Sequence, residues 1–240
     1  MSIGTICCIR RNPAISHAWS ELGRLGYAVS VYPTRGTTHL LLPVPSFSVD
    51  SGYLEALLPE LPPDVTVIGG NLNIPPLQSY RKLDLLQDPY YLAENAAITA
   101  RCAIRLAEER TALQDQSALV LGWGRIGKCL GRFLEKKDAR VTVAARNPKD
   151  LAILSAMGYD VIPIDSLTAD LTNYRIILNT VPAMILPKTE LAPDCVALEL
   201  ASVPGMIGES VISARGLPGR MAPEESGKLI ARTTARLLSV

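Results

Sequence analysis

The chain has 240 residues, with 24 Lys and Arg against 23 Asp and Glu, and neither sign gathers into a long block. This balance argues against nucleic acid and anionic membrane surfaces as main partners. The length suits two domains, and the five cysteines, odd in number and without a C-x-x-C pair, predict buried thiols in the reducing cytoplasm.

The sequence contains few residues that could bind a metal and no long apolar run that could span a membrane. The histidines are His17 and His39, which do not stand at ligand spacing, so we expect no metal. No run approaches the roughly 18 apolar residues of a membrane helix, and the N-terminus lacks the order of a signal peptide. We therefore expect a cytoplasmic protein that is not exported.

Residues 1–94 alternate short apolar runs with helical periods. "GTICCI" predicts a strand, and Asn12-Pro13 supplies a cap and a first turn for a helix over "AISHAWSELGRLGY". Further strands are predicted at "AVSVY", "HLLLPV" and "DVTVIGG", with a short helix at "YLEALLPEL". These elements predict a small N-terminal α/β domain.

The next stretch, "NLNIPPLQSYRKLDLLQDPYY", is rich in turn formers and has no clear period, so we place the domain junction there. "NAAITARCAIRLAEER" then predicts a linking helix within residues 95–116, with Ile98, Cys102 and Leu106 on its apolar face.

Residues 117–240 show a regular alternation of strands and helices. The strands are "SALVL", "RVTVAA", "DVIPI", "YRIILNTVP" and "CVALELAS", with helices after the first three and a last helix from Pro223. This alternation predicts a doubly wound parallel sheet of the Rossmann type. The last helix can pack back on the N-terminal domain.

A glycine fingerprint follows the strand "ALVL" and opens the next helix, which is the context that a dinucleotide site requires. Gly122 allows the tight turn, Gly124 lets the backbone approach a pyrophosphate, and Gly127 lets the helix pack on the strand. The N–H groups of the helix N-terminus would hold the phosphates. We predict that the loop binds a dinucleotide through Gly122, Trp123, Gly124, Arg125, Ile126 and Gly127.

The end of the second strand indicates which dinucleotide is bound. Arg146 and Asn147 stand where a carboxylate would accept hydrogen bonds from the ribose of NAD. A guanidinium there can instead hold a 2′-phosphate, so we expect NADP rather than NAD. The alternative is that Arg146 stacks on the adenine or points into solvent.

Four runs carry a family resemblance, which are "GWGRIGKCLGRFL" with "ARVTVAARNP", "ILNTVPAMIL", "LELASVPG" and "GLPGRMAPEESGKLIA". Together they resemble the A subunit of dipicolinate synthase, an NADP-dependent oxidoreductase of spore-forming bacteria. Weaker similarity continues through "HLLLPVP" and "NAAITARCAIRLA", so the resemblance covers essentially the whole chain. It implies a flavodoxin-like domain before the Rossmann domain, oxidation of dihydrodipicolinate to dipicolinate, and a partner in the form of a flavoprotein-like B subunit. We also expect a homo-oligomer.

The chain departs from that family in the first turns of the linking helix and after "LASVP". Where members tend to carry N-x-x-P-T-x-E-G, this chain has Ile98 for the proline, Arg101 for the glutamate and Cys102 for the glycine. Met206 replaces the second glycine of P-G-G. Arginine stays protonated and cannot act as a general base, so either that glutamate is not catalytic or the activity has changed.

Candidate catalytic and binding residues follow the later strands, because ligands of doubly wound sheets bind beyond the carboxyl ends of the strands. This rule predicts Asn179, Thr180, Val181, Pro182 and Ser202 near the nicotinamide. Asn179 and Ser202 could alternatively cap the segments that follow them.

Two arginines are predicted to hold the carboxylates of a small dicarboxylate substrate. Arg220 precedes the helix that opens with Pro223, and Arg101 lies on the linking helix. Each could instead be an ordinary solvated side chain. Glu199, within an apolar strand, is expected to be either partnered or functional.

Three hypotheses for function follow. The first is a dipicolinate synthase-like oxidoreductase that uses NADP. The second is a catalytically silent dinucleotide-binding subunit that regulates or scaffolds a partner, which the departures at Arg101 and Met206 favour. The third is a different NADP dehydrogenase, such as one like shikimate dehydrogenase, although the chain lacks that enzyme's Lys and Asp pair in context.

Overall fold

The structure, a computed structural model, describes residues 4–9, 12–46 and 50–239. It consists of two compact units. The first combines Met1–Asn95 with Pro218–Val240, and the second is Ala96–Leu217. Each unit is built on its own parallel sheet, which confirms the predicted α/β class.

The first unit contains a five-stranded sheet in the order β2-β1-β3-β4-β5, in which all neighbours pair in parallel. Its strands are β1 (Thr5–Cys8), β2 (Ala28–Ser30), β3 (Thr37–Leu41), β4 (Thr66–Gly69) and β5 (Arg81–Asp84). This is the flavodoxin-like strand order. Its helices are α1 (Pro13–Arg24), α2 (Ser51–Leu57) and the start of α3 (Pro89–Glu108).

Helix α1 shows how local sequence starts an element. The side-chain oxygen of Asn12 accepts a hydrogen bond from the Ile15 N–H at 2.9 Å, and Pro13 occupies the first turn. Ile15 and Leu22 then bury one face of the helix. The predicted N-terminus of this helix is therefore confirmed.

The second unit contains a six-stranded parallel sheet in the order β11-β10-β9-β6-β7-β8. Its strands are β6 (Ser117–Leu121), β7 (Arg140–Ala145), β8 (Asp160–Pro163), β9 (Ile176–Asn179), β10 (Val196–Glu199) and β11 (Val211–Ser213). Helices α4 (Arg125–Glu135) and α5 (Pro148–Ala156) connect β6, β7 and β8. This is the Rossmann order, and the direction of winding reverses between β6 and β9.

The last two helices, α6 (Leu217–Met221) and α7 (Pro223–Leu238), return the chain to the first unit. Helix α7 packs closely on α1, because a Cβ added at Gly227 would overlap the Ala14 carbonyl oxygen and the His17 Cβ. The Tyr27 hydroxyl also donates a hydrogen bond to the Ala235 carbonyl at 3.3 Å.

Several predicted boundaries need correction. The turn-rich stretch before the linking helix contains a strand, β5, which the sequence pattern did not indicate. The linking helix runs over Pro89–Glu108 rather than within 95–116, and the short helix expected after β8 is a single 3-10 turn, Ile164–Ser166. Strand β11 was also missed.

The reasons for these misses are local. Strand β5 lies at a sheet edge and reads "RKLD", and β11 has only three residues, so neither shows an apolar period.

Among the described residues, no helix is long and apolar enough to cross a membrane.

Candidate functional site

The loop between β6 and α4 is fixed by contacts to the neighbouring strands of the second unit. Gly122 has φ +94°, and its N–H donates to the Ala144 carbonyl at 2.8 Å. A Cβ at Gly122 would lie 2.7 Å from the Thr180 Oγ1 and 2.9 Å from the Val181 Cγ2. Both the backbone conformation and the space therefore require glycine here.

The other two glycines of the fingerprint differ in what surrounds them. A Cβ at Gly127 would overlap the Gly122 carbonyl oxygen, so this glycine lets α4 start close to the strand. A Cβ at Gly124 would meet no atom of the protein within 4 Å. The protein's own packing therefore does not explain Gly124, which leaves open space at the place where the fingerprint predicts a pyrophosphate.

The N-terminus of α4 is suited to an anion. Its capping residue is Gly124, no side chain caps the first N–H groups, and the first turn carries no acidic residue. Arg125, the first residue of the helix, is exposed. Uncapped N–H groups and the positive end of the helix dipole form a site that suits a phosphate.

A groove of about 280 Å³ lies beside this loop in the second unit. It brings together six of the predicted cofactor-binding residues, which are Gly122, Trp123, Gly124, Arg146, Asn147 and Val181. It also includes Ala145, Asp150 and Ile164, which were not predicted. Asp150 could have been found from its place in the first turn of the helix that Asn147-Pro148 opens.

The two polar residues after β7 have different surroundings. Asn147 caps α5, because its side-chain oxygen accepts a hydrogen bond from the Lys149 N–H at 2.9 Å. Arg146 is exposed at the groove. The guanidinium of Arg146 thus carries positive charge at the groove, while the nearby carboxyl of Asp150 carries the opposite charge.

Trp123 forms a side wall of the groove. Its ring lies against α4, where a Cβ at Gly131 would be 2.9 Å from the Trp123 Cζ3, and it meets the Tyr159 ring edge-on at 5.6 Å between centroids. Burial raises the pKa of the Tyr159 phenol to about 12, and a hydrogen bond with Glu135 adds to this effect. The Tyr159 hydroxyl therefore stays protonated at neutral pH.

Asn179 lies at the carboxyl end of β9 and is fully buried. Its Oδ1 accepts from the Val181 N–H at 3.0 Å, and its Nδ2 donates to both carboxyl oxygens of Glu199, at 3.0 and 2.8 Å. This geometry favours the alternative role for Asn179, in which it supports the turn that follows it. The Thr180 side chain is likewise bonded within the protein, since its hydroxyl donates to the Leu121 carbonyl at 2.8 Å.

Glu199 is partnered on every side. Its Oε1 accepts from the Ala201 N–H at 2.9 Å, and its Oε2 accepts from the N–H groups of Gly205 at 2.9 Å and Met206 at 3.0 Å. Its exposure is only 3%. Of the two interpretations that the sequence allows, the structure therefore supports a partnered residue.

The remaining predicted residues are exposed or partly exposed. Pro182 and Ser202 follow β9 and β10 and are exposed, and Ile126 is half-buried in the first turn of α4. Arg220 is exposed near the end of α6 in the first unit. The joint role of Arg220 and Arg101 in holding a substrate stays a prediction.

Arg101 belongs to the second unit and is exposed on α3. Burial raises the pKa of the Cys129 thiol on α4, and the charge of Arg101 partly offsets this rise. The guanidinium is thus close enough to α4 to act on it electrostatically. In the part of the chain that the structure describes, no three His, Cys, Asp or Glu residues gather as metal ligands would.

Comparison with known proteins gives one curated relative. The A subunit of dipicolinate synthase from Bacillus subtilis (strain 168) is 33% identical over 158 residues, which are 60% of this chain and 53% of that protein. The match therefore spans about half the length of the relative. No family model matches the chain.

Solved structures share the fold over the whole chain. The A subunit of dipicolinate synthase from Bacillus halodurans has a TM-score of 0.84 at 20% identity and covers 100% of this chain and 99% of its own. The Bacillus subtilis structure has a TM-score of 0.79 at 22% identity, covering 100% of this chain and 97% of its own.

A transhydrogenase from Sinorhizobium meliloti is more distant, with a TM-score of 0.65 at 15% identity over 90% of this chain and 79% of its own. Structural likeness at these identities shows the fold alone. The resemblance inferred from the motifs is confirmed, and the chain is similar to the dipicolinate synthase A subunits in sequence over 60% of its length and in fold throughout.

Proposed function

We propose that the second unit binds a nicotinamide dinucleotide at the groove beside Gly124 and that the protein is an oxidoreductase. The observation that carries this proposal is the open space at Gly124 next to the uncapped N-terminus of α4. The other glycines of the loop are explained by contacts within the protein, whereas Gly124 is explained by a ligand whose phosphates approach the backbone.

The strand order indicates how the dinucleotide would lie. Strands β7 and β8 are on one side of β6, and strands β9, β10 and β11 are on the other. Dinucleotides span the point where the winding reverses, with the pyrophosphate at the first helix. The adenosine half would then lie toward Arg146 after β7, and the nicotinamide half toward the turn after β9.

We further propose NADP as the preferred dinucleotide. The exposed guanidinium of Arg146 at the groove can form two charge-assisted hydrogen bonds with a 2′-phosphate. The carboxyl of Asp150, which lines the same groove, opposes this preference by repelling the phosphate. The arginine is expected to dominate because its flexible, exposed side chain can move to the phosphate, whereas Asp150 is short and held on α5.

Replacing Arg146 tests the preference for NADP. Arg146→Asp should weaken NADP binding by about 1.5–3 kcal/mol and favour NAD, because a charge-assisted hydrogen bond is lost and a ribose acceptor is gained. Titration calorimetry with both dinucleotides measures the change. Arg140→Asp is a matched control, since Arg140 is exposed at the opposite end of the same strand.

A companion variant tests the opposing carboxyl. Asp150→Asn should strengthen NADP binding and leave NAD binding nearly unchanged, because only the 2′-phosphate is repelled. Equal affinities of the unmodified protein for NADP and NAD would contradict the proposed preference.

For the substrate, we propose dihydrodipicolinate, which would be oxidised to dipicolinate, the compound that appears in the name of the curated relative. The substrate would lose a hydride to the bound dinucleotide, which supplies the hydride acceptor, and a proton to a base. Formation of the aromatic ring would favour this direction. The chain must hold two carboxylates, and fixed cations are the groups that can do so away from water.

Arg220 is proposed to bind one substrate carboxylate together with the N-terminus of α7. The residue is exposed, and α7 begins with Pro223 and lacks a side-chain cap. Arg220→Ala should weaken dipicolinate binding by about 1.5–3 kcal/mol and leave NADP binding nearly unchanged. Calorimetry with dipicolinate measures this, with the exposed neighbour Arg215→Ala as control. An unchanged affinity for dipicolinate would show that Arg220 does not bind a substrate carboxylate.

The second candidate is a catalytically silent protein that serves a partner enzyme. The guanidinium at position 101 supports it, because this group cannot act as a general base. Met206 no longer favours it, because that side chain is buried in the core and its N–H still bonds to Glu199. The two candidates are separated by following NADPH formation in a mixture that generates dihydrodipicolinate, with and without a partner subunit. Formation of NADPH in the mixture without the partner subunit would exclude a silent role, whereas formation only with the partner would favour it.

A further inference from the structure

Glu199 links two segments that leave the sheet at neighbouring strands. Residues Asn179 and Glu199 are register partners on β9 and β10, so their side chains meet at the carboxyl ends of both strands. Through Asn179 the carboxylate is joined to the turn at 180–182. Through three backbone N–H groups it holds the loop at 201–206.

The contacts around Gly205 show how closely these two segments pack. A Cβ at Gly205 would overlap the Ala183 carbonyl oxygen and would lie 2.7 Å from the Asn179 Nδ2 and from the Val181 carbonyl oxygen. The loop after β10 is therefore pressed against the turn after β9. One buried carboxylate is hydrogen-bonded to the loop directly and to the turn through Asn179.

This arrangement lies on the side of β6 to which the nicotinamide half is assigned. That assignment rests on the proposed function. Val181, in the turn that Asn179 supports, lines the groove and also contacts the loop at Gly122. A shift of the turn after β9 would therefore change the nicotinamide end of the groove but not the end at Arg146.

We propose that Glu199 is a positioning residue, which acts through Asn179 and the 201–206 loop to fix the surface that receives the nicotinamide ring. A carboxylate is suited to this role because both oxygens only accept hydrogen bonds, and every group that faces them is an N–H donor. A glutamine would direct its own N–H₂ group at one of these donors and leave that donor unsatisfied.

The test compares a complete dinucleotide with its adenosine half. Glu199→Gln should weaken binding of NADP about tenfold, while binding of 2′,5′-ADP should change less than about twofold. Calorimetry measures both, and quenching of Trp123 fluorescence, whose ring lines the groove, gives a second readout. A merely structural role would weaken both ligands together or neither.

Two further variants complete the comparison. Glu190→Gln, an exposed position in the same unit, is the matched control and should leave both affinities unchanged. If Glu199→Gln does not fold, Asn179→Ala removes the amide that donates to both carboxyl oxygens and allows the same comparison.

The possible results separate this inference from the proposed function. If the unmodified protein binds none of 2′,5′-ADP, NADP and NAD, the proposed dinucleotide site is wrong. If it binds both and Glu199→Gln weakens both equally, or weakens neither, the positioning role is overturned. Selective loss of the complete dinucleotide in Glu199→Gln, without such a loss in Glu190→Gln, supports it.

Discussion

At the scale of single residues, a glycine can be required by the protein that contains it or by a ligand, and the loop after β6 has both kinds. Gly122 is required by a positive φ and by the side chain of Thr180. Gly127 is required by the carbonyl that lies against it. Gly124 has neither constraint, so substitutions at these positions should separate folding from binding.

Gly124→Val is expected to abolish NADP binding without unfolding the protein, because its side chain would occupy the open space beside the uncapped helix N-terminus. Circular dichroism and calorimetry measure the two effects. Gly127→Ala is the matched control and should instead destabilise the second unit by about 3 kcal/mol, since its methyl group has no room. Wild-type affinity in Gly124→Val would mean that this glycine has no role in binding.

The glycine loop and Arg146 could be selected from the sequence as candidate binding residues. Each is recognised from a motif whose residues lie close together in the chain. The strand, turn and helix that surround the fingerprint are visible within about thirty residues. The pairing of Asn179 with Glu199 was not predicted, although the burial of Glu199 in an apolar strand was a signal. That pairing depends on the register between β9 and β10, which only the assembled sheet defines.

At the scale of elements, α3 shows how a long helix begins with a charged cap. The Asp88 Oδ1 accepts from the Tyr91 N–H at 2.7 Å and pairs with the Arg236 Nη2 at 2.7 Å. The guanidinium of Arg236 also lies 5.2 Å from the Tyr90 ring centroid. Helix α7 therefore completes the N-terminus of α3 within the first unit.

The same contacts predict a dependence of stability on pH. Burial raises the pKa of Asp88, but hydrogen bonds from Arg236 and the Tyr91 N–H, with the charge of Arg236, outweigh it, so the folded pKa is below its ordinary value. A carboxyl with a lowered pKa stabilises the fold above its unfolded pKa, near 3.9. This contribution is lost as pH falls through the folded pKa.

Asp88→Asn should therefore lower the free energy of unfolding by about 1 kcal/mol at pH 7, because the ion pair is lost while the cap can remain. The variant should lose less stability than the unmodified protein when the pH falls below the unfolded pKa. Urea unfolding at neutral and acid pH measures both. Asp64→Asn, at an exposed site, should change the stability at pH 7 by less than about 0.5 kcal/mol. An identical acid dependence of Asp88→Asn and the unmodified protein would contradict the assignment.

Elements were predicted where an apolar period or a cap was present and missed where neither was strong. The start of α3 shows a third case, because Asp88 and Pro89 form a cap and a first turn. The turn formers before them predict an irregular segment instead. The linking helix was expected to continue beyond Glu108. In the structure the residues after Glu108 form turns that lead into β6.

At the scale of the whole molecule, the first unit is built from both parts of the chain that flank the second. Its closest helix contact joins α1 to α7 at Gly227. Gly227→Val should lower the free energy of unfolding by about 3 kcal/mol, because two helix backbones would be forced apart. Thermal unfolding measures this loss, and Gly219→Ala is the control, since a Cβ there meets nothing within 4 Å.

Affinity for 2′,5′-ADP in folded Gly227→Val should remain unchanged, because all the described residues of the groove lie in the second unit. A loss of this affinity at a temperature where the variant is folded would show that the groove depends on the first unit.

The return of α7 to α1 also sets an order of events on the ribosome. The second unit is continuous in the chain, so it can fold once residue 217 has emerged, whereas α1 must wait for a partner made about two hundred residues later. During that interval the face of α1 that Gly227 later covers is open to water. Nascent chains arrested after residue 217 should accordingly protect the dinucleotide groove from protease while α1 is still cleaved.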